Sequence, residues 1–265
     1  MDLKNLLKVA INASIRGGET IMKVYNSDFQ VEKKSDDSPL TIADKNCHDI
    51  IEHFLKKTEL PILSEEGASI KFSERKKWDY FWLVDPLDGT KEFIKRNGEF
   101  TVNIALIFKG KPIMGVIFVP VKQHLYFAMQ DLGSYKIVYK SLVKNLDDLV
   151  LRSEKLPIKN NRTNYVIVGS RSHMSKETEL FFEEKKKIYE NVELLSVGSS
   201  LKLCMVAEGR ADAYPRYAPT MEWDTAAGHA IAKYAGYSVL KFLSNNELSY
   251  NKKELLNPWF LVSKQ

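Results

Sequence analysis

Cysteine is nearly absent from this chain, with two in 265 residues. Cys47 and Cys204 lie on separate predicted helices and in no metal-ligand spacing. That excludes a thiolate metal cage and a disulfide framework, and it fits free core thiols in a reducing compartment. No apolar run approaches the roughly 20 residues that span a bilayer, so no transmembrane helix is predicted. Met1-Asp2-Leu3-Lys4 lacks the basic-then-apolar layout of a signal peptide. A cytoplasmic location is the expectation, with peripheral contact at the inner membrane left open. Nor is charge of one sign gathered anywhere. The formal net charge is +5, but the lysines are spread along the chain, so no nucleic acid polymer is expected as partner. A mild positive field could still steer an anionic small molecule. There is no repeat and no low-complexity linker, so any two halves should share an interface.

What is present is ordinary globular material, 44% hydrophobic and 28% charged, and enough of it for one large domain or two smaller ones. Leu3, Leu6, Leu7, Ala10, Ile11, Ile15, Ile21, Met22 and Tyr25 recur at helical spacing, with a strain or break expected at Gly17-Gly18. Residues 31–39 read as polar and irregular. Thr41 caps a second helix to about Lys57, with Ile42, Ile50, Ile51, Phe54 and Leu55 as its buried face. Short apolar runs at 61–63 and 80–84 read as strands, followed by β-rich runs at 100–108, 113–119, 124–129 and 135–139. After about residue 140 strands and helices alternate: strands near 166–168, 192–197, 211–214 and 259–262, helices at 175–189, 199–208 and 223–235. The expectation is an α+β metal-binding domain over residues 1–142 and an α/β substrate-binding domain over 143–265.

The run Trp82-Leu83-Val84-Asp85-Pro86-Leu87-Asp88-Gly89-Thr90 is the centre of the reading. A buried strand ends in two carboxylates three residues apart. Pro86 fixes one φ, Gly89 permits a tight turn, and Thr90 stands where a short helix could begin. Carboxylates at a strand end followed by backbone N–H groups suit metal ions and a phosphate. A surface turn capped by Thr90 fits the same residues. Three further pieces put a carboxylate at an element's end: Leu63-Ser64-Glu65-Glu66, Thr41-Ile42-Ala43-Asp44, and Glu222-Trp223-Asp224-Thr225-Ala226-Ala227-Gly228.

Together these motifs resemble the inositol monophosphatase superfamily of metal-dependent phosphatases. With its continuation from Lys91 to Asn103, the central run looks closer still to the branch of bacterial 3'(2'),5'-bisphosphate nucleotidases of the CysQ type. The resemblance covers nearly the whole chain. It implies a layered α/β/α/β/α sandwich, and two to three Mg²⁺ ions. Glu65, Asp85 and the Leu87 carbonyl would hold the first ion. Asp85, Asp88 and Asp224 would hold the second, with Asp85 bridging. A third, weaker ion would use Glu65 and Asp44 through waters. Thr90, backed by Glu65 or Asp44, would orient and deprotonate the attacking water, while the N–H groups of Gly89 and Thr90 hold the phosphate. Asp44 and Asp224 also fit as first-turn acids of their helices, and Glu66 is read as structural.

Substrate choice would fall to Ser199, Ser200 and Lys202 at a helix start, a second-phosphate or ribose site, to Arg216 and His173, which resemble positions contacting adenosine bisphosphate, and to Asp224. Lys34 lies in the loop that closes over the metals in the family. The implied reaction removes the 3'-phosphate of adenosine 3',5'-bisphosphate, giving AMP and phosphate, with 3'-phosphoadenylyl sulfate as a second substrate. Its role would be to clear a by-product of sulfate activation. An inositol or fructose bisphosphate phosphatase with the same metal core is the alternative, and a non-catalytic phosphonucleotide-binding protein is another. A monomer or homodimer fits equally.

Overall fold

The glycine pair at 17 and 18 does not break the first helix. In the computed structural model, which describes residues 1–27, 31–33, 39–139, 141–170 and 175–264, α1 runs unbroken over Leu3–Tyr25. The glycines serve packing instead. A Cβ on Gly17 would lie 2.6 Å from Cys47 Sγ, and one on Gly18 would lie 2.5 Å from the Phe118 ring. Tertiary contact thus overrides the local helix penalty. Residues 31–39 also depart from expectation, for β1 (Val31–Lys33) and β2 (Pro39–Thr41) pair as a small antiparallel ribbon. Lys34 lies outside the described residues. Helix α2 (Ile42–Leu55) buries Ala43, Asp44, Cys47, Ile51 and Leu55. Ile42, expected inside, is 45% exposed because it opens the helix on the outer side.

The first sheet has seven strands: β3 (Ile62–Ser64), β4 (Tyr80–Asp88), β5 (Thr101–Phe108), β6 (Lys111–Val119), β7 (His124–Met129), β8 (Gly133–Val138) and β9 (Glu154–Lys155), side by side in that order. Only β3 and β4 are parallel. Short helices α3 (Phe72–Arg75), α4 (Thr90–Ile94) and α5 (Leu146–Leu151) interrupt it. Alternation divides its residues between two cores. Trp82, Val84, Ile104, Leu106, Val116 and Phe118 face α1 and α2. Phe81, Leu83, Ala105, Ile107, Ile117 and Val119 face the second half of the chain. With both faces covered, these strands read as continuous apolar runs.

The second sheet is ordered β11-β10-β12-β14-β13, from β10 (Tyr165–Ser170), β11 (Val192–Val197), β12 (Ala213–Arg216), β13 (Ser238–Lys241) and β14 (Phe260–Ser263). Helices α7 (Leu201–Ala207) and α8 (Glu222–Tyr234) lie between the sheets, and α6 (Lys176–Lys186) packs on β11 and β12. The result is the layered α/β/α/β/α sandwich. Backbone contact fixes its centre. A Cβ on Gly115 of β6 would sit 2.2 Å from the Ala227 carbonyl oxygen, so only glycine lets α8 lie this close to the sheet. Among the described residues no helix is long and apolar enough to cross a membrane.

Candidate active site

The end of β4 is irregular in a way that serves its carboxylates. Asp85 pairs with Asn103 and Asp88 with Thr101, so β4 carries one extra residue between them. In a regular strand residues three apart face opposite sides; a bulge cancels that alternation and re-aims side chains. Pro86 sits within the bulge, where a missing N–H costs no ladder bond. The turn is held from several sides. Leu87 N–H donates to Asp85 Oδ1 at 3.1 Å, the Cys47 thiol donates to the Pro86 carbonyl at 3.1 Å, and Thr90 Oγ1 donates to the Leu87 carbonyl at 3.4 Å. Gly89 has φ 94°, and a Cβ there would stand 3.2 Å from both the Glu99 carbonyl and Ser199 Cβ. Both facts demand glycine.

Glu65 reaches the same place from β3. Its N–H donates to the Val84 carbonyl at 3.1 Å, extending the parallel ladder until Glu65 stands beside Asp85. Asp224 arrives from the other half as the third residue of α8, where its Oδ2 accepts from the Met221 N–H at 2.8 Å. It therefore caps its helix and enters the site as well. Oxygens of Glu65, Asp85 and Asp224 lie within 4.8 Å of one another.

Such a cluster is electrostatically unfavourable alone. Burial pushes the Asp85 carboxyl well above the usual carboxylate range, and Glu65, Asp88, Asp224 and Asp44 push it further. Burial likewise raises Asp224, with Asp88 and Glu65 adding to it, while the Met221 N–H and Arg216 oppose. Three converging oxygen donors, two of them with raised carboxyls, fit divalent cations that prefer oxygen ligands, and the residues present fit such a group. Asp44 is 2% exposed on α2, and its charge is felt at Asp85.

Asp88 is held by partners from outside its own motif. Ser200 Oγ lies 2.6 Å from Asp88 Oδ2 and 2.7 Å from the Asp224 carbonyl oxygen, and it accepts from Asn103 Nδ2 at 2.9 Å. Asn103 Nδ2 also reaches Asp88 Oδ2 at 3.4 Å. The residues before Ser200 are fastened to α4 and the loop that follows it. Gly198 N–H donates to Glu99 Oε2 at 2.8 Å, and a Cβ on Gly198 would meet Glu92 Cγ at 2.7 Å. Ser199 takes φ 48°.

Lys202, expected at the substrate, is 6% exposed and donates to the carbonyls of Val197, at 3.3 Å, and Ser199. Burial pushes its ammonium down to about 8 while Asp88 resists the shift. Its visible work is to hold the loop that carries Ser200. Arg216 ends β12 and donates to the Pro219 carbonyl at 2.8 Å, and its charge acts on both Asp224 and Lys202. His173 lies outside the described residues.

Behind Asp224 runs a buried polar network. Glu222, fully buried, accepts from the Asn251 N–H at 2.6 Å, the Lys252 N–H at 3.0 Å and the Lys252 ammonium. Arg75, from the first half, donates to Asn251 Oδ1 at 2.9 Å and to the carbonyls of Lys252 and Lys253 at 2.6 and 2.9 Å. The start of α8 is thereby tied to both halves. Motif reading finds Glu65, Asp85, Asp88 and Asp224 but assigns nothing to Asn103, Glu222 or Arg75. Their roles depend on partners far away in sequence; Asn103's place at the end of the run from Lys91 is the one local signal.

The inositol monophosphatase family model matches residues 2–260. The 3'(2'),5'-bisphosphate nucleotidase CysQ of Salmonella typhimurium is 42% identical over 98% of this chain and 99% of its own length. That of Haemophilus influenzae is 35% identical over 98% and 93%. The crystal structure of CysQ from Bacteroides thetaiotaomicron, 49% identical, superimposes with a TM-score of 0.92 over 99% of this chain and 98% of that one. An IMPase of Thermotoga maritima, 23% identical, shares the fold with a TM-score of 0.74 over 99% and 92%.

Proposed function

The chain belongs to the inositol monophosphatase family, and on that premise we propose that it is a metal-dependent 3'(2'),5'-bisphosphate nucleotidase. The preferred substrate is adenosine 3',5'-bisphosphate, cleaved by water to AMP and phosphate, with 3'-phosphoadenylyl sulfate as a second substrate. The observation that carries the chemistry is the convergence of Glu65, Asp85 and Asp224 within 4.8 Å beside Asp88. The names of the relatives carry the substrate.

Mg²⁺ suits a set made only of oxygen donors. Glu65, Asp85 and the Leu87 carbonyl would hold one ion, and Asp85, Asp88 and Asp224 a second. When bound, such ions supply positive charge at the phosphoryl oxygens and lower the pKa of water. The chain's own groups do the rest. The N–H groups of Gly89 and Thr90, which open α4, would hold the phosphate. The Thr90 hydroxyl, within 3.4 Å of the Leu87 carbonyl, would orient the attacking water. Glu65 or Asp44 would draw off its proton as the P–O3' bond breaks and the leaving oxygen is protonated. Ser199, Lys202 and Arg216 would contact the nucleoside or its second phosphate.

A substrate panel tests the reading. Phosphate release is measured from adenosine 3',5'-bisphosphate, inositol monophosphate and fructose 1,6-bisphosphate, with and without Mg²⁺. The bisphosphate nucleotide should be turned over fastest, and only with Mg²⁺. Turnover of inositol monophosphate at an equal or higher rate overturns the substrate assignment. No phosphate release at saturating Mg²⁺ favours a binding protein.

A further inference from the structure

We propose that Ser200 is a positioning residue that sets the spacing of Asp88 and Asp224, and that Asn103 sets Ser200. The inference rests on the metal-dependent reading above, but it concerns a residue outside the expected ligand set. Asp88 belongs to the first sheet and Asp224 to α8 of the second half, so their separation depends on how two layers meet. Ser200 Oγ stands between them, 2.6 Å from Asp88 Oδ2 and 2.7 Å from the Asp224 carbonyl oxygen. The residue is 3% exposed, so water does not compete freely for these contacts.

A hydroxyl has one proton and two lone pairs. One lone pair of Ser200 is taken by Asn103 Nδ2 at 2.9 Å. The amide therefore turns the hydroxyl proton toward the two acceptors. Of these, the Asp88 carboxyl is the nearer, at 2.6 Å. That bond and the Asn103 contact both fall on Oδ2. Among the described residues no hydrogen bond reaches Asp88 Oδ1.

Asp85 and Asp224 are arranged alike. Leu87 N–H takes Asp85 Oδ1, and Met221 N–H takes Asp224 Oδ2. Each acid has one oxygen fastened by the protein. Two are fastened by backbone of their own turn, whereas Asp88 alone depends on a side chain from the other half. Ser200 is thus where the second-ion acids are most exposed to mutation. Lys202 and the Gly198–Glu99 bond hold the loop that presents it.

The experiment is Mn²⁺ titration of the metal-free full-length protein by calorimetry, with Mn²⁺ as probe, for wild type, Ser200→Ala and Asn103→Ala. Thermal melts establish that each is folded. Removing a partner that orients a ligand costs about 10–100-fold in metal affinity. Ser200→Ala should weaken the weaker of two Mn²⁺ sites about tenfold and leave the tighter one within about twofold. Asn103→Ala should shift the same site in the same direction by less, and the double variant should fall short of the sum of the two single effects, since Asn103 acts mainly through Ser200 and only weakly through its own 3.4 Å contact to Asp88. Wild-type affinity at both sites in Ser200→Ala overturns the inference while leaving the metal-dependent reading intact. If Ser200→Ala fails to fold, unchanged binding in Asn103→Ala overturns it equally. Absence of Mn²⁺ binding by the wild type overturns the reading and the inference together.

Discussion

Asp85 and Asp88 stand three residues apart on one strand, yet their partners Asn103 and Thr101 stand two apart on the next. That single extra residue makes a pair of acids out of what would otherwise be one acid on each face. It also concentrates negative charge, since Asp88 raises the Asp85 carboxyl. Asp88→Asn should therefore lower kcat/KM for adenosine 3',5'-bisphosphate by about 10³-fold or more, as loss of a charged group at a transition state does. The metal-free variant should melt about 2–4 °C higher than wild type, for one repulsion is gone. Near-normal phosphate release by this variant would remove Asp88 from the metal site.

Metal and pH should act against each other on stability. In the metal-free protein the Asp85 and Asp224 carboxyls sit well above their ordinary range, so the native chain keeps protons that the unfolded chain has lost. That contribution is complete below about pH 4 and is lost as pH climbs through the raised values. Cations bind the deprotonated form and offset the loss. The melting-temperature gain from Mg²⁺ over chelator should widen as pH rises above the ordinary carboxylate range of about 4. A constant gain contradicts the assignment.

His229 works in the opposite direction. It is fully buried beside the Tyr250 hydroxyl at 2.9 Å, and burial pushes its imidazole down to about 3 from 6.5. Stability is complete above 6.5 and falls as pH drops toward 3, because the unfolded chain then binds a proton the native chain refuses. The slope is at most about 1.4 kcal/mol per pH unit. Urea unfolding between about pH 4.5 and about pH 6.5 should show a flatter dependence for His229→Gln. Equal slopes would contradict the buried neutral state.

Glu222 is the only countercharge within hydrogen-bonding reach of the Lys252 ammonium among the described residues. Glu222→Gln leaves that ammonium one-quarter exposed without its partner. Denaturant unfolding should register a loss of about 3 kcal/mol. Because Asp224 follows two residues later, Mg²⁺ activation should shift to higher concentration even where the variant is fully folded.

Gly115→Ala would force a methyl into the Ala227 carbonyl. Backbone cannot swing aside as a side chain can, so the cost should be about 3 kcal/mol. Gly18→Ala meets a ring instead and should cost less, partly offset by better helix propensity. If chemical denaturation ranks the two the other way, α8 is not seated on β6 as described.

Much of this was legible beforehand, for stateable reasons. Strands β4 to β7 are apolar almost throughout and rich in aromatic or branched side chains, bounded by turns, so they read as buried strands from composition and length. The acids announce themselves because each ends an element. What stayed hidden was decided by distant neighbours. Gly17-Gly18 reads locally as a weak point, yet Cys47 and Phe118 turn it into a seat. Strand β13 is short and half-buried, and nothing in Ser238–Lys241 separates it from a loop. Lys202 reads as a substrate contact because it opens a helix; its further bonds to the Val197 and Ser199 carbonyls are invisible until the chain is folded. Ser200 reads as a substrate contact at a helix start, and its place between Asp88 and the Asp224 carbonyl, like that of Asn103 beside it, shows only in the folded chain.

The seating of α8 between the sheets also sets an order of events during synthesis. As the first half leaves the ribosome it already owns Glu65, Asp85 and Asp88, but the sheet face formed by Phe81, Leu83, Ala105 and Ile107 has no cover until α7 and α8 emerge. Asp224 comes with that cover. The nascent chain therefore gains the last acid of its cluster in the same step that covers this face of the first sheet, before β13 and β14 close the second. Any stall in translation before α8 leaves a sticky, acid-bearing fragment for chaperones to hold.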